Sequence, residues 1–460
     1  MKKRGLFLVL IVALASFVML TTSQKSEAVP SFARQLKKPC TACHTIWPNL
    51  NQYGRQFKVK AYTDASPDWG VITKDNLNLF YVFPVSARIM YIPYQIEQDP
   101  SASGYEANST QIDNMQIFIA GRFYKYGGIF TSVEDPGGNS NFNIAVTKIA
   151  FWHPVGDNAM GLVFFHGQET SADPFNSLGG WDRDIATPDS EGLPWVLQKG
   201  WTSSFWAGNA REGGTIDGYF LGNRLYAAVT ITRASGVTDA DAMASTFMHQ
   251  LPAKPFGAAA NGSNTNGPAS GYLRLAWDQK LSNGAVTFGG LVYTGKERVT
   301  DNVTGNRIAT NINRQYIDAS LEQNFGADHL VEAKAIYGFG QESNLSQLGT
   351  DEAGGSGTLG PGDKRDFNGG AIEADYFFRR TYGIVGQYNW VNNMKVQAAD
   401  WDPASSQHTA LISLNYLPWL NTKVQFIYAN THSTYVPGAL DVSAGNETDQ
   451  LYKFLVDVAF

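Results

Sequence analysis

The sequence predicts an all-β fold, a closed antiparallel barrel of about 16 strands, preceded by a short segment small enough to sit inside it. Three observations carry this expectation. From residue 77 onward apolar and polar residues alternate with a period of two, the signature of strands with two unlike faces. The connections between such segments are alternately short and long, as a barrel with short turns at one mouth and long loops at the other requires. Beyond residue 28 no apolar run reaches the roughly 18 residues of a spanning helix. Charged residues make up 17%, aromatic residues 13%, and 46 residues are glycine. Together these suit a porin-like outer-membrane barrel, whereas a soluble β-sandwich has no reason to sort its loops by length.

Taken in order, residues 1–28 read as a secretory signal peptide. Lys2, Lys3 and Arg4 form the basic start, Leu6 to Leu20 the apolar run, and Ser26-Glu27-Ala28 a small-x-small cleavage site. The apolar run is about 15 residues, short for a membrane anchor. Residues 29–70 form a segment too small for a stable core of its own, so it needs a covalent or external brace. Residues 71–460 are the barrel.

The barrel reads as sixteen segments of roughly ten residues each. The first, 77–92, places Leu77, Leu79, Tyr81, Phe83, Val85, Ala87, Ile89 and Tyr91 on one face, with Asn78, Ser86 and Arg88 on the other, mixed with Phe80, Val82, Pro84 and Met90. Later segments set Leu273, Leu275 and Trp277 against Arg274 and Asp278, and Ile317, Ala319 and Leu321 against Asp318 and Glu322. Val331, Ala333 and Ala335 oppose Glu332 and Lys334. Segment 142–152 has the least regular pattern, because Lys148 breaks its alternation. Short connections fall at 126–128, 222–224, 281–284, 325–328 and 379–381, and long ones at 168–212, 236–270 and 340–366. The final segment, 449–460, aligns Tyr452, Phe454, Val456, Val458 and Phe460, an aromatic-ended strand of the kind by which outer-membrane barrels are recognised for insertion. An even strand number puts the N-terminal segment at the periplasmic mouth.

Within 29–70, Cys40-Thr41-Ala42-Cys43-His44 is the attachment signal of c-type haem. Both thiols bond to the haem vinyl groups, and His44 is placed as an axial ligand of the iron. These are the chain's only 2 cysteines, so a four-cysteine zinc site is excluded. A disulfide would leave His44 without a role. One covalent haem c is therefore the expected cofactor. Phe32, Ile46, Trp47, Leu50, Tyr53 and Phe57 are candidates to pack on the porphyrin or on the barrel wall. Arg34, Lys37, Lys38, Arg55, Lys58 and Lys60 are candidates to pair with propionates or with inward carboxylates such as Glu332, Glu373 and Asp375. Met90, Met115, Met394 and His166 are candidate sixth ligands, among which the sequence does not choose. A net charge of −6 without a long basic run excludes nucleic acid as a partner.

Pro30-Ser31-Phe32-Ala33-Arg34-Gln35, the haem motif, Pro48-Asn49-Leu50 and Gly54-Arg55-Gln56-Phe57-Lys58 together resemble the outer-membrane monohaem cytochrome–porin fusions of iron-oxidising bacteria. Leu36-Lys37-Lys38-Pro39 replaces the Thr-Gly-hydrophobic run that usually precedes the first cysteine there, and Tyr53 stands where Phe is common. The resemblance implies an iron(II) oxidoreductase in the outer membrane. Extracellular iron(II) would give one electron to the haem, which passes it to a periplasmic c-type cytochrome or copper protein. By motif, the haem roles transfer to Cys40, Cys43 and His44 alone. A porin with structural haem and a haem peroxidase or sensor are the alternatives. No motif marks an iron(II) site or a catalytic residue, although Glu134, Asp135, Glu169 and Asp173 fall at outer strand ends or loops, where oxygen ligands would suit a hard cation.

Overall fold

The computed structural model describes residues 30–46, 49–66, 71–74, 77–80, 84–98, 105–136, 143–167, 211–233, 268–300, 307–343, 364–392, 404–419, 421–435 and 446–460. The expected signal peptide and most of the three long connections lie outside these residues. The N-terminal segment contains α1 (Pro30–Leu36), a 3-10 turn (Cys40–Ala42), the short strands β1 (His44–Ile46) and β2 (Asn49–Leu50), and α2 (Gln52–Val59). A separate hairpin pairs β3 (Val71–Lys74) with β4 (Leu77–Phe80).

The barrel opens with β5 (Val85–Gln98), β6 (Tyr105–Tyr124), β7 (Gly127–Pro136), β8 (Asn143–Val155) and β9 (Asn158–Gly167). It continues through β10 (Arg211–Phe220), β11 (Leu225–Arg233), β12 (Pro268–Leu281), β13 (Gly284–Thr300) and β14 (Arg307–Phe325). The remaining strands are β15 (His329–Ser343), β16 (Lys364–Phe378), β17 (Tyr382–Asn392), β18 (Ala404–Trp419), β19 (Thr422–Tyr435) and β20 (Asn446–Ala459). All sixteen are antiparallel neighbours in chain order, and β20 closes the ring on β5.

Strand number and order are those expected, with three differences. The expected first strand, 77–92, is divided at Pro84: residues 77–80 pair with β3, and the barrel starts at Val85. Alternation alone cannot say which neighbour a strand pairs with, and Pro84 has no N–H to donate. Its carbonyl accepts from the Ala120 N–H instead, at 2.9 Å. Second, strands such as β6 and β14 run beyond their alternating stretch at the long-loop end, where residues such as Asn311 and Asn313 are exposed. With water on both faces, no apolar side marks those extensions. Third, Lys148 leaves the alternation of β8 intact. It is buried with Val146 and Ala150, while Ile149 and Phe151 point outward. A barrel interior accepts the charge that a sandwich core would refuse.

The two faces are chemically inverted relative to a soluble protein. Phe288, Ile317 and Ile372 are more than half exposed, on the outside. Arg274 and Arg314 are 1% and 0% exposed, on the inside. This exterior is solvated by lipid, and a closed barrel satisfies every strand's backbone without an edge. The architecture is that of a bacterial outer-membrane barrel. Inside, charges are paired: Arg88 meets Asp457 at 2.7 Å across the closing seam, and Arg274 bonds Asp318.

The N-terminal segment lies within this barrel, at the short-turn end. Arg34 donates to the Val85 carbonyl. The buried Gln35 accepts from the Arg122 N–H at 2.9 Å and donates to the Tyr62 and Asp64 carbonyls. The latter bonds hold a reversal after α2 in which Ala61 and Tyr62 have φ of 54° and 57°, a region disfavoured for side-chain-bearing residues. Trp152 donates to Thr63, and Asn49 donates to Glu332 at 2.6 Å. Ile46 packs on Leu330, Phe377 and Val385, and Val59 on Tyr219, Tyr226 and Ala276. The segment thus meets the wall on opposite sides of the ring and forms a plug.

Arg55 is its principal anchor. It makes a two-pronged contact with Asp278, at 2.9 and 3.0 Å, and a third bond to Glu322 at 2.6 Å. Arg55→Ala leaves two buried carboxylates without their cation, a change that costs about 3–5 kcal/mol where it has been measured. The expected outcome is protease cleavage within residues 30–66 of detergent-solubilised protein, while the barrel keeps its heat-modifiable gel mobility. Arg55→Lys, which keeps the charge and loses the fork, should fall between.

Candidate functional site

The haem motif occupies the 3-10 turn and the start of β1. The turn closes with Ala42 N–H donating to the Pro39 carbonyl at 2.9 Å and Cys43 N–H to the Cys40 carbonyl at 3.0 Å. Its conformation is imposed from outside by Asn51, the N-cap residue of α2. The Asn51 amide nitrogen donates to the Thr41 and Ala42 carbonyls at 3.3 and 3.1 Å, and its backbone N–H donates to the Cys43 carbonyl at 2.9 Å. The Asn51 side-chain oxygen accepts from the Gly54 N–H at 3.0 Å, the usual N-cap bond. Gly54 allows the close approach, because a Cβ there would lie 2.2 Å from the Cys43 carbonyl oxygen. One residue therefore caps the helix and clamps the turn. Sequence reading missed Asn51, although an Asn directly before a helix is a preferred N-cap residue.

Cys40 is buried, while Thr41, Ala42, Cys43 and His44 are half-buried. Cys43 borders a cluster of Leu36, Phe57 and Tyr62, with Phe32, Tyr53 and the wall residue Phe130 against it. Phe32 stacks on Tyr62 at 5.0 Å and meets Phe57 edge-on at 5.2 Å. Of the expected porphyrin-packing residues, Phe32, Tyr53 and Phe57 gather beside Cys43 and Ile46 faces the wall. Trp47 lies outside the described residues. Burial pushes the Cys43 thiol up to about 12. A thiol held there is a slow nucleophile at physiological pH, since the thiolate is the reactive form.

The donor set fits a haem: two thiols three positions apart on one turn, an imidazole next in sequence, and aromatic rings alongside. Among the described residues no three His, Cys, Asp or Glu groups are placed to hold a metal ion.

The expected charge partners are redistributed. Arg55 pairs with Asp278 and Glu322 in place of the anticipated carboxylates. Glu332, Glu373 and Asp375 instead surround the wall's own Lys334, which contacts Glu373 at 2.8 Å. Lys38 donates to the Tyr53 hydroxyl at 3.2 Å, and that hydroxyl donates to Asp64 at 3.3 Å. Burial, reinforced by Asp64, raises the Tyr53 phenol above its ordinary range. Among candidate sixth ligands, Met115 lies on the outward face between buried Asn114 and Gln116, which removes it. Met90 is packed on Ile92 and Leu455. His166 falls on β9, opposite Glu212, with its side chain outside the description, as is Met394. Glu134 and Asp135 are buried, Glu134 accepting from Ser132 at 2.7 Å, so neither is a solvated loop carboxylate. Glu169 and Asp173 lie outside the described residues.

No protein-family model and no characterised protein matches the sequence. Solved structures match its fold. The anion-selective porin of Comamonas acidovorans aligns with a TM-score of 0.50 at 12% identity, covering 82% of this chain and 98% of that one. OmpF of Salmonella typhi, in complex with daunomycin, aligns at 0.47 and 9%, covering 82% and 97%. OmpT of Vibrio cholerae aligns at 0.44 and 8%, with the same coverage of 82% and 97%. The first of these establishes a porin-like barrel.

Asn51→Asp separates the two roles of Asn51. The aspartate can still cap α2 but cannot donate to Thr41 and Ala42, leaving two carbonyls unsatisfied at about 1–3 kcal/mol each. Amide exchange should quicken at 40–44 and stay slow through α2, whereas Asn51→Ala should quicken both. In the haem-free Cys40→Ser chain, alkylation of Cys43 by iodoacetamide should be slow at pH 8. It should rise steadily as pH approaches 12, since the thiolate is the nucleophile.

Proposed function

We propose that this chain is a c-type cytochrome housed in an outer-membrane barrel, which takes single electrons from extracellular iron(II) and passes them to a soluble periplasmic carrier. The observation that carries the proposal is the position of the Cys40–His44 turn, held inside the lumen by α2 with four of its five residues half-buried. Haem c bound there would supply a one-electron couple within a wall that is otherwise insulating. Cys40 and Cys43 would hold it by thioethers, and His44 would ligate its iron. Asn51 and Gly54 set the turn's orientation, and Phe32, Phe57 and Tyr62 offer an apolar flank that keeps water from one side.

The chemistry balances simply: each iron(II) loses one electron, the carrier gains one, and no bond to carbon changes. Iron(III) is insoluble at neutral pH, so oxidation on the extracellular side of the plug, reached through the lumen, keeps the product from entering the periplasm. A diffusion porin is the competing reading that the fold itself suggests. Against it stands the plug, held to the wall from β5 round to the turn between β16 and β17, where Arg380 donates to the Thr45 carbonyl. A segment anchored around the ring obstructs solute flow.

Changing Cys40 and Cys43 to Ser should abolish haem that survives denaturing gels. Iron(II) added to intact cells should reduce the haem, followed by its absorption, and His44→Ala should shift the spectrum and impair that reduction. Haem that stays oxidised with iron(II) outside, yet is reduced when iron(II) reaches the periplasmic side, would sink the proposal.

A further inference from the structure

We infer that the periplasmic face of the plug, together with the β6–β7 and β8–β9 turns beside it, is a docking surface for an acidic soluble electron acceptor. The inference rests on the reading above in one respect, that an electron leaves the chain on this side. The whole chain carries a formal charge of −6. This face has the opposite sign. Lys37 and Lys38 are exposed directly before Cys40. Lys125 is exposed in the turn after β6, the strand whose Arg122 N–H is held by plug residue Gln35. Lys60 stands 5.8 Å from the Trp152 ring, Trp152 meets Tyr126 edge-on at 5.8 Å, and Lys125 lies 4.8 Å over Tyr126. Lys60 and Lys125 therefore flank two aromatic rings, with Lys37 and Lys38 on the neighbouring plug surface and Asp64 and Asp157 as the acids beside them.

Further round the same mouth the pattern holds. Arg224 and Lys280 are exposed, and Arg379 is paired with Asp328 at 3.3 Å. The lysine patch is also the part of this face nearest the haem motif. Lys38 bonds Tyr53, and Tyr53 packs in the cluster that borders Cys43. A partner seated on the lysines is thus brought over the attachment turn. Opposite charge on the partner steers encounter and sets orientation, while the aromatic rims supply desolvated contact. The choice of a protein over lipid follows from location: Lys37 and Lys38 stand on the plug, within the barrel's mouth, away from the lipid-facing exterior. The transfer itself moves one electron from the chain's reduced centre to the acceptor and forms no bond.

The test uses full-length protein in detergent micelles, reduced with dithionite and freed of excess. It is mixed by stopped flow with an acidic c-type cytochrome and, separately, with a basic one. The acidic acceptor should be reduced faster, and its rate should fall about tenfold as salt rises from low to about 200 mM, since charge steering is screened. The Lys37→Glu/Lys125→Glu variant, altered only at exposed positions, should lose about tenfold with the acidic acceptor and gain with the basic one. Binding of the oxidised acidic cytochrome to Cys40→Ser/Cys43→Ser protein, followed by calorimetry, needs no haem. If that binding is salt-sensitive while iron(II) fails to reduce the intact protein, docking stands and the iron reading falls. If iron(II) reduces the protein but the acidic acceptor shows neither preference nor salt dependence, docking alone is overturned. It is equally overturned if the charge-reversed variant changes only binding to vesicles containing anionic phospholipid.

Discussion

The triple contact of Arg55 with Asp278 and Glu322 is the constraint on which the arrangement depends. Both carboxylates are buried against the wall, and Arg55, itself almost wholly buried, is the cation set between them. Burial works against the guanidinium charge, yet Glu322 and Asp278 outweigh it and hold Arg55 above even its ordinary high range. Such a buried group contributes less to net stability than its bond lengths suggest, because desolvation offsets most of the attraction. Its effect is on specificity. The wall carries acids at this level, the plug carries the one fork that matches them, and a displaced plug would leave both uncompensated. Arg55 lies on α2, whose N-terminus clamps the Cys40–His44 turn, so placing Arg55 also places the motif.

The barrel's interior extends the same logic. Arg88 with Asp457, Arg274 with Asp318, and Lys334 with its three acids are cross-strand neighbourhoods that a soluble core would exclude. They lie inside because lipid, a poorer solvent for charge than the lumen, covers the other face.

That inversion explains what the sequence made legible. Charges facing one way and apolar groups the other gave sixteen strands in the right order, and for β17 the same limits, 382–392. Lys148 looked irregular only because charge was weighed against a soluble core. Pro84 was visible as a residue without a donor, but not as the point where pairing passes from hairpin to barrel. Motif and aromatic flank were legible, being local. The partners of Arg55 were not: Asp278 and Glu322 lie 223 and 267 positions away, and any inward carboxylate was an equal candidate on pattern alone. Asn51 was overlooked because its function depends on the folded turn beside it.

The closing seam has a consequence for how the molecule comes into being. Every neighbouring strand pair but one joins segments adjacent in the chain, and so can form as a hairpin. The exception joins β20 to β5, with Arg88 and Asp457 separated by 369 positions and Ala87 bonded both ways to Phe460 at 2.7 and 2.8 Å. Bridging that separation carries the largest loop-closure entropy in the fold. The seam therefore cannot seal while β20 is still being made or exported, however early the hairpins appear. The strand that waits, β5, is the first of the barrel after the plug and the β3–β4 hairpin, and is bound to the plug through Arg34 and Val85. Assembly thus passes through a stage in which the ring is open beside the plug, so that residues 40–44 are reachable from the side before the wall shuts around them.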